Sequence, residues 1–223
     1  MKVAVVVFPG TNCEMDTKYA FEKLGSSVEL VFHKDETLPC NTDLVVLPGG
    51  FSYGDYLRSA AIAKFSPIMK DVTRFAAQGG YVLGICNGFQ MLLEMGLLPG
   101  AMKRNSNVHF ISKFHHLRVV HNDNKFLQKL SVDDVINVPI AHGEGSYFID
   151  ANGLHELYKN NQVLLKYSDK SGIDKNPNGS IDSIACICNK NKNVFGLMPH
   201  PERAMELLLG SDDGVKILEG LIA

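Results

Sequence analysis

The chain has 223 residues, of which 45% are hydrophobic and 21% are charged, and its formal net charge at pH 7 is -2. These values are close to the averages of globular proteins and exclude a disordered or fibrous chain. Because basic residues are not in excess, the composition argues against binding to nucleic acid or to an acidic membrane surface. We expect a single domain over residues 1–223.

The apolar start of the chain, residues 2–8, is too short for a signal peptide and leads directly into a Pro-Gly turn. No apolar run approaches the roughly 20 residues that cross a bilayer. The five cysteines lack the spacing of a metal site or a disulfide framework, which favours a reducing compartment. The sequence therefore predicts a cytoplasmic protein that has no membrane contact and no metal site.

In the first half of the chain, short β-branched segments alternate with segments of helical spacing. We predict strands at residues 3–8, 28–32, 44–47 and 81–85, and helices at residues 16–24 and 68–77. This alternation predicts a parallel sheet with helices on both faces, and it places ligands beyond the carboxyl ends of the strands.

From about residue 105 the pattern changes to shorter strands joined by turns rich in Asn and Gly. We predict strands at residues 117–120, 163–167, 184–188 and 194–198, some of them in antiparallel pairs, and helices at residues 153–159 and 212–221. Ser211 is a candidate cap for the last helix. The two halves together predict an α/β fold.

The segment from residue 81 to residue 93 reads as a strand, the motif Gly-x-Cys-x-Gly and a helix, with Cys86 at the centre. This is the sulfur version of the nucleophile elbow, in which flanking glycines, here Gly84 and Gly88, allow a strained turn that raises the nucleophile above the sheet. A free thiol is only a few per cent thiolate at neutral pH, so the positive end of the helix favours the reactive anion. A buried structural cysteine is the alternative, and the flanking glycines favour Cys86 as the nucleophile.

A thiolate nucleophile needs a base and a group that orients the base. Residues 198–203, MPHPER, contain both. Pro201 keeps His200 out of the helical region and stops a helix from continuing, so we expect residues 200–202 to be extended. In an extended segment the side chains of His200 and Glu202 point to the same side. We therefore predict His200 as the base and Glu202 as the group that orients it.

A second His-x-Glu pair, His142 and Glu144, has the same spacing and is an alternative. Glycines at positions 143 and 145 free this backbone, whereas Pro201 restricts the other. We favour His200, and we expect residues 142–145 to form a loop near the site or against a partner.

Residues 47–55, LPGGFSYGD, run from a strand into a Gly-Gly turn. Acyl chemistry requires two hydrogen-bond donors aimed at the developing oxyanion. In a nucleophile elbow the residue after the nucleophile, here Asn87, supplies one backbone N–H, and a neighbouring strand-end loop supplies the other. Gly50 is the candidate in that loop, and a plain turn that requires a positive φ is the alternative interpretation.

The Gly-Gly loop, the elbow and the late His-x-Glu pair together resemble the class I glutamine amidotransferases. Five segments narrow the resemblance to the family of phosphoribosylformylglycinamidine synthase glutaminase subunits: FPGTNCE (8–14), PGGFSYGDYLR (48–58), GICNGFQ (84–90), AHGEG (141–145) and MPHPER (198–203). The similarity extends over nearly the whole chain. It implies a flavodoxin-like α/β fold, a three-layer sandwich with a mostly parallel central sheet.

The resemblance also implies a reaction and its partners. Glutamine would be hydrolysed to glutamate and ammonia through a thioester on Cys86, and it would be held by Gly49, Gly50, Phe51 and Gln90. The ammonia would pass to a large ATP-dependent synthase subunit of purine biosynthesis, often with a small bridging subunit. No cofactor is expected in this chain, and ATP and Mg are expected on the synthase subunit. Cys13, in the first family-like loop, is interpreted as structural.

Two other functions are compatible with parts of the pattern. A cysteine peptidase or another hydrolase could use the same elbow, but it would need an open cleft for a chain substrate. A glutamine-sensing or scaffold subunit would keep the fold without turnover, which the intact set of Cys86, His200 and Glu202 argues against.

Overall fold

The protein is described by a computed structural model over residues 1–222, which contain eleven strands and five α-helices. The strands are β1 (Lys2–Val7), β2 (Ser27–Phe32), β3 (Leu44–Leu47), β4 (Tyr81–Ile85), β5 (Ala101–Lys103), β6 (Ile111–Val119), β7 (Val135–His142), β8 (Ser146–Phe148), β9 (Val163–Ser168), β10 (Ile184–Cys188) and β11 (Val194–Leu197). The helices are α1 (Glu14–Lys23), α2 (Ile68–Ala77), α3 (Asn87–Glu94), α4 (Ala151–Lys159) and α5 (Asp213–Ile222). Within residues 1–222, every helix is too short or too polar to cross a bilayer.

Nine of these strands form one sheet in the order β2-β1-β3-β4-β11-β10-β9-β6-β7. The first five strands in this order are parallel, and the pairs from β11 to β7 are antiparallel. The parallel part has the strand order of flavodoxin-like folds. The predicted α/β fold with a parallel central sheet is therefore confirmed, and the antiparallel strands extend that sheet on one side.

The central strands explain why this sheet is stable. All four residues of β3 are fully buried, and four of the six residues of β1 and four of the five residues of β4 are buried. Burial on both faces is typical of parallel strands covered by helices, and it accounts for their continuous runs of Val, Leu and Ile. The carboxyl ends of β3, β4 and β11 meet at one edge, which is where the loops after Leu47, Ile85 and Leu197 begin.

Four predicted elements have the observed bounds, namely α2, β3, β4 and β10. Ser211 Oγ accepts a hydrogen bond from the Asp213 N–H at 3.1 Å, in keeping with its predicted capping role. The helix predicted from residue 153 begins earlier, at Ala151, because Asp150 caps it through a 2.7 Å hydrogen bond from the Gly153 N–H.

The largest difference from the sequence prediction concerns β6 and β7. The strand predicted at residues 117–120 is only the end of the much longer β6, and β7 was not predicted at all. β7 contains Pro139, which lacks the N–H that a central strand would need. The strand lies at the edge of the sheet, where a proline is tolerated.

Gly88, in the first turn of α3, allows this helix to pack directly against β3. A Cβ atom at position 88 would lie 1.8 Å from the carbonyl oxygen of Leu47, and one at position 84 would lie 2.6 Å from the carbonyl carbon of Gly88. Neither glycine has a φ in the left-handed region. Their lack of side chains therefore serves close packing, which sets the start of α3 against the sheet.

This contact predicts that Gly88→Ala destabilises the protein, although alanine is the better helix former by up to about 1 kcal/mol. The clash with the Leu47 backbone should outweigh that gain and lower the free energy of unfolding by about 1–3 kcal/mol. Urea denaturation measures the change. The control is Gly143→Ala, whose Cβ would meet only Phe110, at 3.7 Å. Equal stability of Gly88→Ala and the wild type would contradict the packing role.

Candidate active site

Cys86 joins β4 to α3 in a strained backbone conformation, with φ 50° and ψ -105°. A positive φ is rare for a residue with a Cβ atom and persists only where the surrounding structure imposes it. Here the Cys86 N–H donates to Leu197 O at 2.8 Å, and Cys86 O accepts from the Gln90 N–H at 3.1 Å. The strain of the elbow thus lies at Cys86, and the glycines on either side, Gly84 and Gly88, provide space for close packing.

His200 and Glu202 form a buried pair. His200 Nδ1 lies 2.6 Å from Glu202 Oε1, and the two residues are 1% and 2% exposed. Burial by itself would lower the pKa of His200, but the carboxylate of Glu202, together with Cys86, raises this pKa well above its ordinary value. Nε2 of His200 has no hydrogen-bond partner within residues 1–222 and is available for proton transfer.

The backbone of this pair differs from the extended segment that the sequence predicted. Pro201–Arg203 form a 3₁₀ turn, in which the Ala204 N–H donates to Pro201 O at 3.0 Å. A proline is compatible with the first position of a helical turn, because its missing N–H would have no partner there. The predicted extended backbone was wrong, whereas the predicted contact between the two side chains is present.

The position of His200 is also fixed from the edge of the sheet. The His200 N–H donates to the carbonyl oxygen of Pro139, in the middle of β7, at 2.8 Å. The strand β7, which was not predicted, therefore anchors the segment that carries His200.

The cavity around Cys86 has two lobes that share one wall, formed by Gly50, Phe51, Cys86, Phe110 and Ala141. The histidine lobe, of about 200 Å³, is further lined by Asn12, Cys13, Ser112, His200 and Arg203. The acidic lobe, of about 110 Å³, is further lined by Asp55, Ser59, Gln90, His142, Gly143 and Glu144. Cys86 and His200 thus face a common space that is small enough for a single amino acid.

Gly50 lies opposite the elbow. It faces Thr11 in an antiparallel bridge, and the flanking hydrogen bonds run from the Phe51 N–H to Gly10 O at 2.9 Å and from the Asn12 N–H to Gly49 O at 3.5 Å. Gly50 lies between these two hydrogen bonds, so its own N–H points away from the segment that contains Thr11. A Cβ atom at position 50 would lie 2.8 Å from Thr11 Cα, so only glycine fits this close approach.

Asn87 is the first residue of α3, so its N–H belongs to the group that has no partner within a helix. Its side chain connects the loops of the site. Oδ1 accepts from the Ser52 N–H at 3.1 Å, and Nδ2 donates to Gln90 Oε1 at 2.8 Å. Gln90 Nε2 in turn donates to Glu144 O at 2.7 Å. Both polar ends of the Gln90 amide therefore hold the site together, while the residue also lines the acidic lobe.

His142, the alternative base, is not paired with Glu144. Its Nδ1 lies 3.1 Å from Asn105 Oδ1, and burial lowers its pKa to about 4, so it is neutral at pH 7. The carboxylate of Glu144 instead accepts a hydrogen bond from Ser59 Oγ at 2.8 Å. Residues 142–144 all line the acidic lobe, and the contact of His142 with Asn105 supports the loop that follows it.

The position of Cys13 beside His200 was not predicted from the sequence. Its Sγ lies within 4.8 Å of the donor atoms of His200 and Glu202, and Arg203 Nη2 lies 3.1 Å from it. Gly49 makes this approach possible, since a Cβ there would lie 2.8 Å from His200 Cε1 and 3.0 Å from Cys13 Sγ. Gly49 itself lines neither lobe. The resemblance of residues 8–14 to the family was the signal in the sequence that could have indicated a position of Cys13 near the site.

Cys13, His200 and Glu202 form the one group within residues 1–222 whose donor atoms are close enough to hold a metal ion. The short bond between the imidazole and the carboxylate already uses one donor of each residue. The guanidinium of Arg203 beside the thiol also repels a cation. The geometry therefore fits acid–base chemistry better than metal binding.

Comparison with known proteins is consistent with this site. Residues 1–212 match the family model of the CobB/CobQ-like glutamine amidotransferase domain. The chain is 65% identical to the phosphoribosylformylglycinamidine synthase subunit PurQ of Sulfurimonas denitrificans, over 100% of this chain and 99% of that relative. It is 62% identical to the same subunit of Wolinella succinogenes, over 99% of each chain. It is also similar to a chain in the structure of PurLQS from Thermotoga maritima, with a TM-score of 0.89 and 42% identity over 99% of this chain and 97% of that one.

The buried pair predicts a pH effect of Glu202→Gln. Without the carboxylate, the effect of burial dominates and lowers the pKa of His200, so the imidazolium is lost at a lower pH than in the wild type. Less imidazolium is then present at pH 7 to stabilise the thiolate of Cys86. We expect alkylation of Cys86 by iodoacetamide at pH 7 to be slower by up to about tenfold for each unit by which the pKa of His200 falls below 7.

The measurement is the alkylation rate as a function of pH, with the modified cysteine identified by mass spectrometry. Glu219→Gln, which removes an exposed carboxylate from α5, is the matched control. A Glu202→Gln profile that coincides with the profiles of the wild type and this control would refute the electrostatic role of Glu202.

Proposed function

The chain belongs to the PurQ family of phosphoribosylformylglycinamidine synthase subunits, and we propose that Cys86 is its nucleophile, His200 its base and Glu202 the group that orients the base. As a member of this family, the chain is a glutaminase subunit of that synthase and serves purine biosynthesis. The observation that carries the assignment of residues is the 2.6 Å contact between His200 and Glu202, beside a cavity that Cys86 also lines.

In the first half of the reaction, the proton of Cys86 lies on His200 Nε2, a transfer that Glu202 already favours before glutamine binds, and the sulfur attacks the amide carbon of glutamine. The N–H groups of Gly50 and Asn87 stabilise the oxyanion of the tetrahedral intermediate. His200 then returns the proton to the leaving nitrogen, so ammonia departs and a glutamyl thioester remains on Cys86. The carboxylate of Glu202 stabilises the imidazolium that exists between the two proton transfers.

The second half uses the same groups on a water molecule. His200 takes a proton from water, which attacks the thioester carbon, and the same two N–H groups stabilise the second oxyanion. The intermediate collapses, glutamate leaves and the thiol is restored. For binding of glutamine we assign Gly50, Phe51 and Gln90, which line the cavity, whereas Gly49 acts through the packing of His200.

The ammonia passes to partner subunits. A solved relative is a PurLQS assembly, and this chain takes the place of PurQ in such a complex, together with a large synthase subunit and a small bridging subunit. Amines are mostly protonated at neutral pH, and an ammonium ion is no nucleophile, so direct transfer within a complex preserves the reactive form. We assign ATP and Mg to the synthase subunit and no cofactor to this chain.

Two further features belong to this proposal. The whole chain, residues 1–223, acts as one amidotransferase domain, since one sheet and one buried hydrophobic cluster extend through both halves. We also propose a cytoplasmic location, because all five cysteines are free thiols, which suits a reducing compartment.

A cysteine peptidase is the competing function, and the dimensions of the cavity argue against it. Lobes of about 200 and 110 Å³ suit one amino acid, whereas a peptidase needs a cleft that accepts a chain on both sides of the nucleophile. The two N–H donors and the paired His200 are compatible with either chemistry, so cavity shape is the observation that separates them.

The proposed division of labour between the subunits predicts the effect of Cys86→Ala. In the assembled synthase, Cys86→Ala should abolish amidation with glutamine, while added ammonia should still support the synthase subunit, because only the source of nitrogen is lost. Product formation with each nitrogen donor measures the effect. Loss of activity with both donors would contradict this division, and Cys40→Ala, which removes an exposed thiol, is the control.

A further prediction distinguishes the roles of His200 and His142 in thioester formation. His200→Ala should slow formation of the glutamyl thioester by about 10²–10⁴-fold, the usual contribution of a general acid–base residue. His142→Ala should change it far less, because that imidazole is neutral and bonded to Asn105. Trapping of the thioester with labelled glutamine and mass spectrometry measures both. If only His142→Ala fails to form the thioester, the assignment of the base is wrong.

A further inference from the structure

Two buried asparagines surround His142 and take no part in the chemistry at Cys86. Asn105 is 1% exposed and Asn178 is 0% exposed, and neither residue lines a lobe of the cavity. Both form hydrogen bonds with the segment 142–145 at the end of β7. A buried amide loses its hydration, so the hydrogen bonds that compensate this loss show which part of the structure the amide holds in place.

Asn105 uses both ends of its amide on this segment. Its Nδ2 donates to His109 O and His142 O, both at 2.8 Å, and its Oδ1 accepts from the Gly145 N–H at 3.0 Å and from His142 Nδ1 at 3.1 Å. Because an amide oxygen can only accept, the proton of the neutral imidazole lies on Nδ1, and Nε2 is left as an acceptor. Asn105 therefore fixes both the backbone of the segment and the tautomer of His142.

Asn178 contacts the same segment from another part of the chain. Its Nδ2 donates to Gly145 O at 2.7 Å, and it also lies 3.5 Å from His142 Nε2 and 3.4 Å from the Tyr167 hydroxyl. The carbonyl oxygen of Asn178 accepts from the Ser106 N–H at 2.9 Å. Asn178 thus connects Gly145 to the loop that contains Ser106.

The loop that carries Asn178 is anchored independently of the segment 142–145. Nζ of Lys166 in β9 lies 3.1 Å from Asp174 Oδ2 and 3.0 Å from Asp182 Oδ1, so one cation joins the two sides of this loop. Within the loop, Asn178 Oδ1 accepts from the Ser180 N–H at 3.0 Å. Asn178 is therefore a fixed support for the backbone that it contacts.

The supported segment contains one peptide group that reaches the site. Glu144 O accepts from Gln90 Nε2 at 2.7 Å, and the N–H of the same peptide group, that of Gly145, donates to Asn105. A peptide group is planar and trans, so holding its N–H also sets the direction of its carbonyl oxygen. The next carbonyl, Gly145 O, is held by Asn178. Rotation of the Glu144–Gly145 peptide would remove the acceptor from Gln90 Nε2.

We propose that Asn105 and Asn178 are positioning residues that fix the Glu144–Gly145 peptide, and through it the amide of Gln90, from outside the cavity. The inference rests on the proposed function, in which Gln90 binds glutamine. Without this support the peptide can rotate, and the Gln90 amide loses its orientation. Gln90 contacts glutamine before and during the reaction, so the loss appears in KM more than in kcat.

The test variant is Asn178→Asp, which keeps the side-chain volume and the acceptor for the Ser180 N–H. It replaces the Nδ2 donor with an acceptor that faces Gly145 O. We expect the KM of the assembled synthase for glutamine to rise by about tenfold, the usual effect of leaving a buried acceptor without its donor. The kcat should stay within about threefold of the wild type.

The matched control is Asn193→Ala. Asn193 is 4% exposed, and its Nδ2 donates to Ala76 O and Gly80 O, both at 2.8 Å. It directly precedes β11 and so lies at the edge of the sheet opposite the site. This variant should lower the thermal unfolding midpoint and leave the KM for glutamine within about twofold of the wild type, which separates loss of stability from loss of position.

The titration of His142 gives a second measurement that does not depend on turnover. In NMR spectra of the full chain labelled with ¹⁵N-histidine, the His142 signals are those absent from His142→Ala. Burial lowers the pKa of His142 to about 4 in the wild type. A carboxylate near Nε2 favours the imidazolium, so the midpoint in Asn178→Asp should lie about 1–3 pH units higher. The charges of His200 and His115, which lower this pKa, are present in both proteins.

A wild-type KM in folded Asn178→Asp would overturn the inference, and so would a His142 titration that coincides with that of the wild type. An equal rise of KM in Asn193→Ala would also overturn it. If Asn178→Asp does not fold, Asn105→Asp decides, because it keeps the acceptor for Gly145 and loses the donor to His142 O; the same rise of KM is expected. Failure of the proposed function gives a different result, because glutamine hydrolysis would then survive Cys86→Ala.

Discussion

The buried contact between Glu202 and His200 is the interaction on which the rest of the site depends. A carboxylate or an imidazolium alone in the interior would lose its hydration without compensation, whereas the two together neutralise each other. Glu202 Oε2 has no partner among the described residues, so the hydrogen bond through Oε1 to the imidazole is the contact that compensates the buried carboxylate. The contact also requires the proton on Nδ1, which leaves Nε2 to exchange protons with the thiol, the leaving nitrogen and water.

Close backbone approach is the second constraint, and glycines mark where it acts. Gly88 allows α3 to meet β3, Gly50 allows its loop to cross the backbone of Thr11, and Gly49 allows the imidazole of His200 to approach Cys13. Each position brings an element from a different part of the chain within contact distance of the elbow. A methyl group at any of them would displace a loop that carries a donor or the base, so packing and chemistry share the same residues.

Elements with local signals were predicted from the sequence, whereas features that depend on contacts between distant parts of the chain were not. The strands β3 and β4 and the helix α2 were predicted with their observed bounds, because their signals are local. The strand β7 was missed because Pro139 reads as a break, and only pairing at the sheet edge makes it a strand. The pairing of His200 with Glu202 was anticipated from two-residue spacing, although a 3₁₀ turn produces it. The surroundings of Cys13 depend on contacts with residues near position 200, which spacing cannot reveal.

Cys13 and Cys86 show that position at a helix start does not by itself make a cysteine reactive. Both residues are N-caps and both line the histidine lobe. The first turn of α1, after Cys13, contains Glu14 and Asp16, whereas the first turn of α3, after Cys86, contains no acidic residue. Burial raises the pKa of Cys13, with a smaller contribution from the charge of Glu202, and outweighs the lowering effects of His200 and Arg203, so this thiol stays protonated at neutral pH. The site therefore contains two thiols at helix starts, and the acidic residues around Cys13 argue against a reactive role for that thiol.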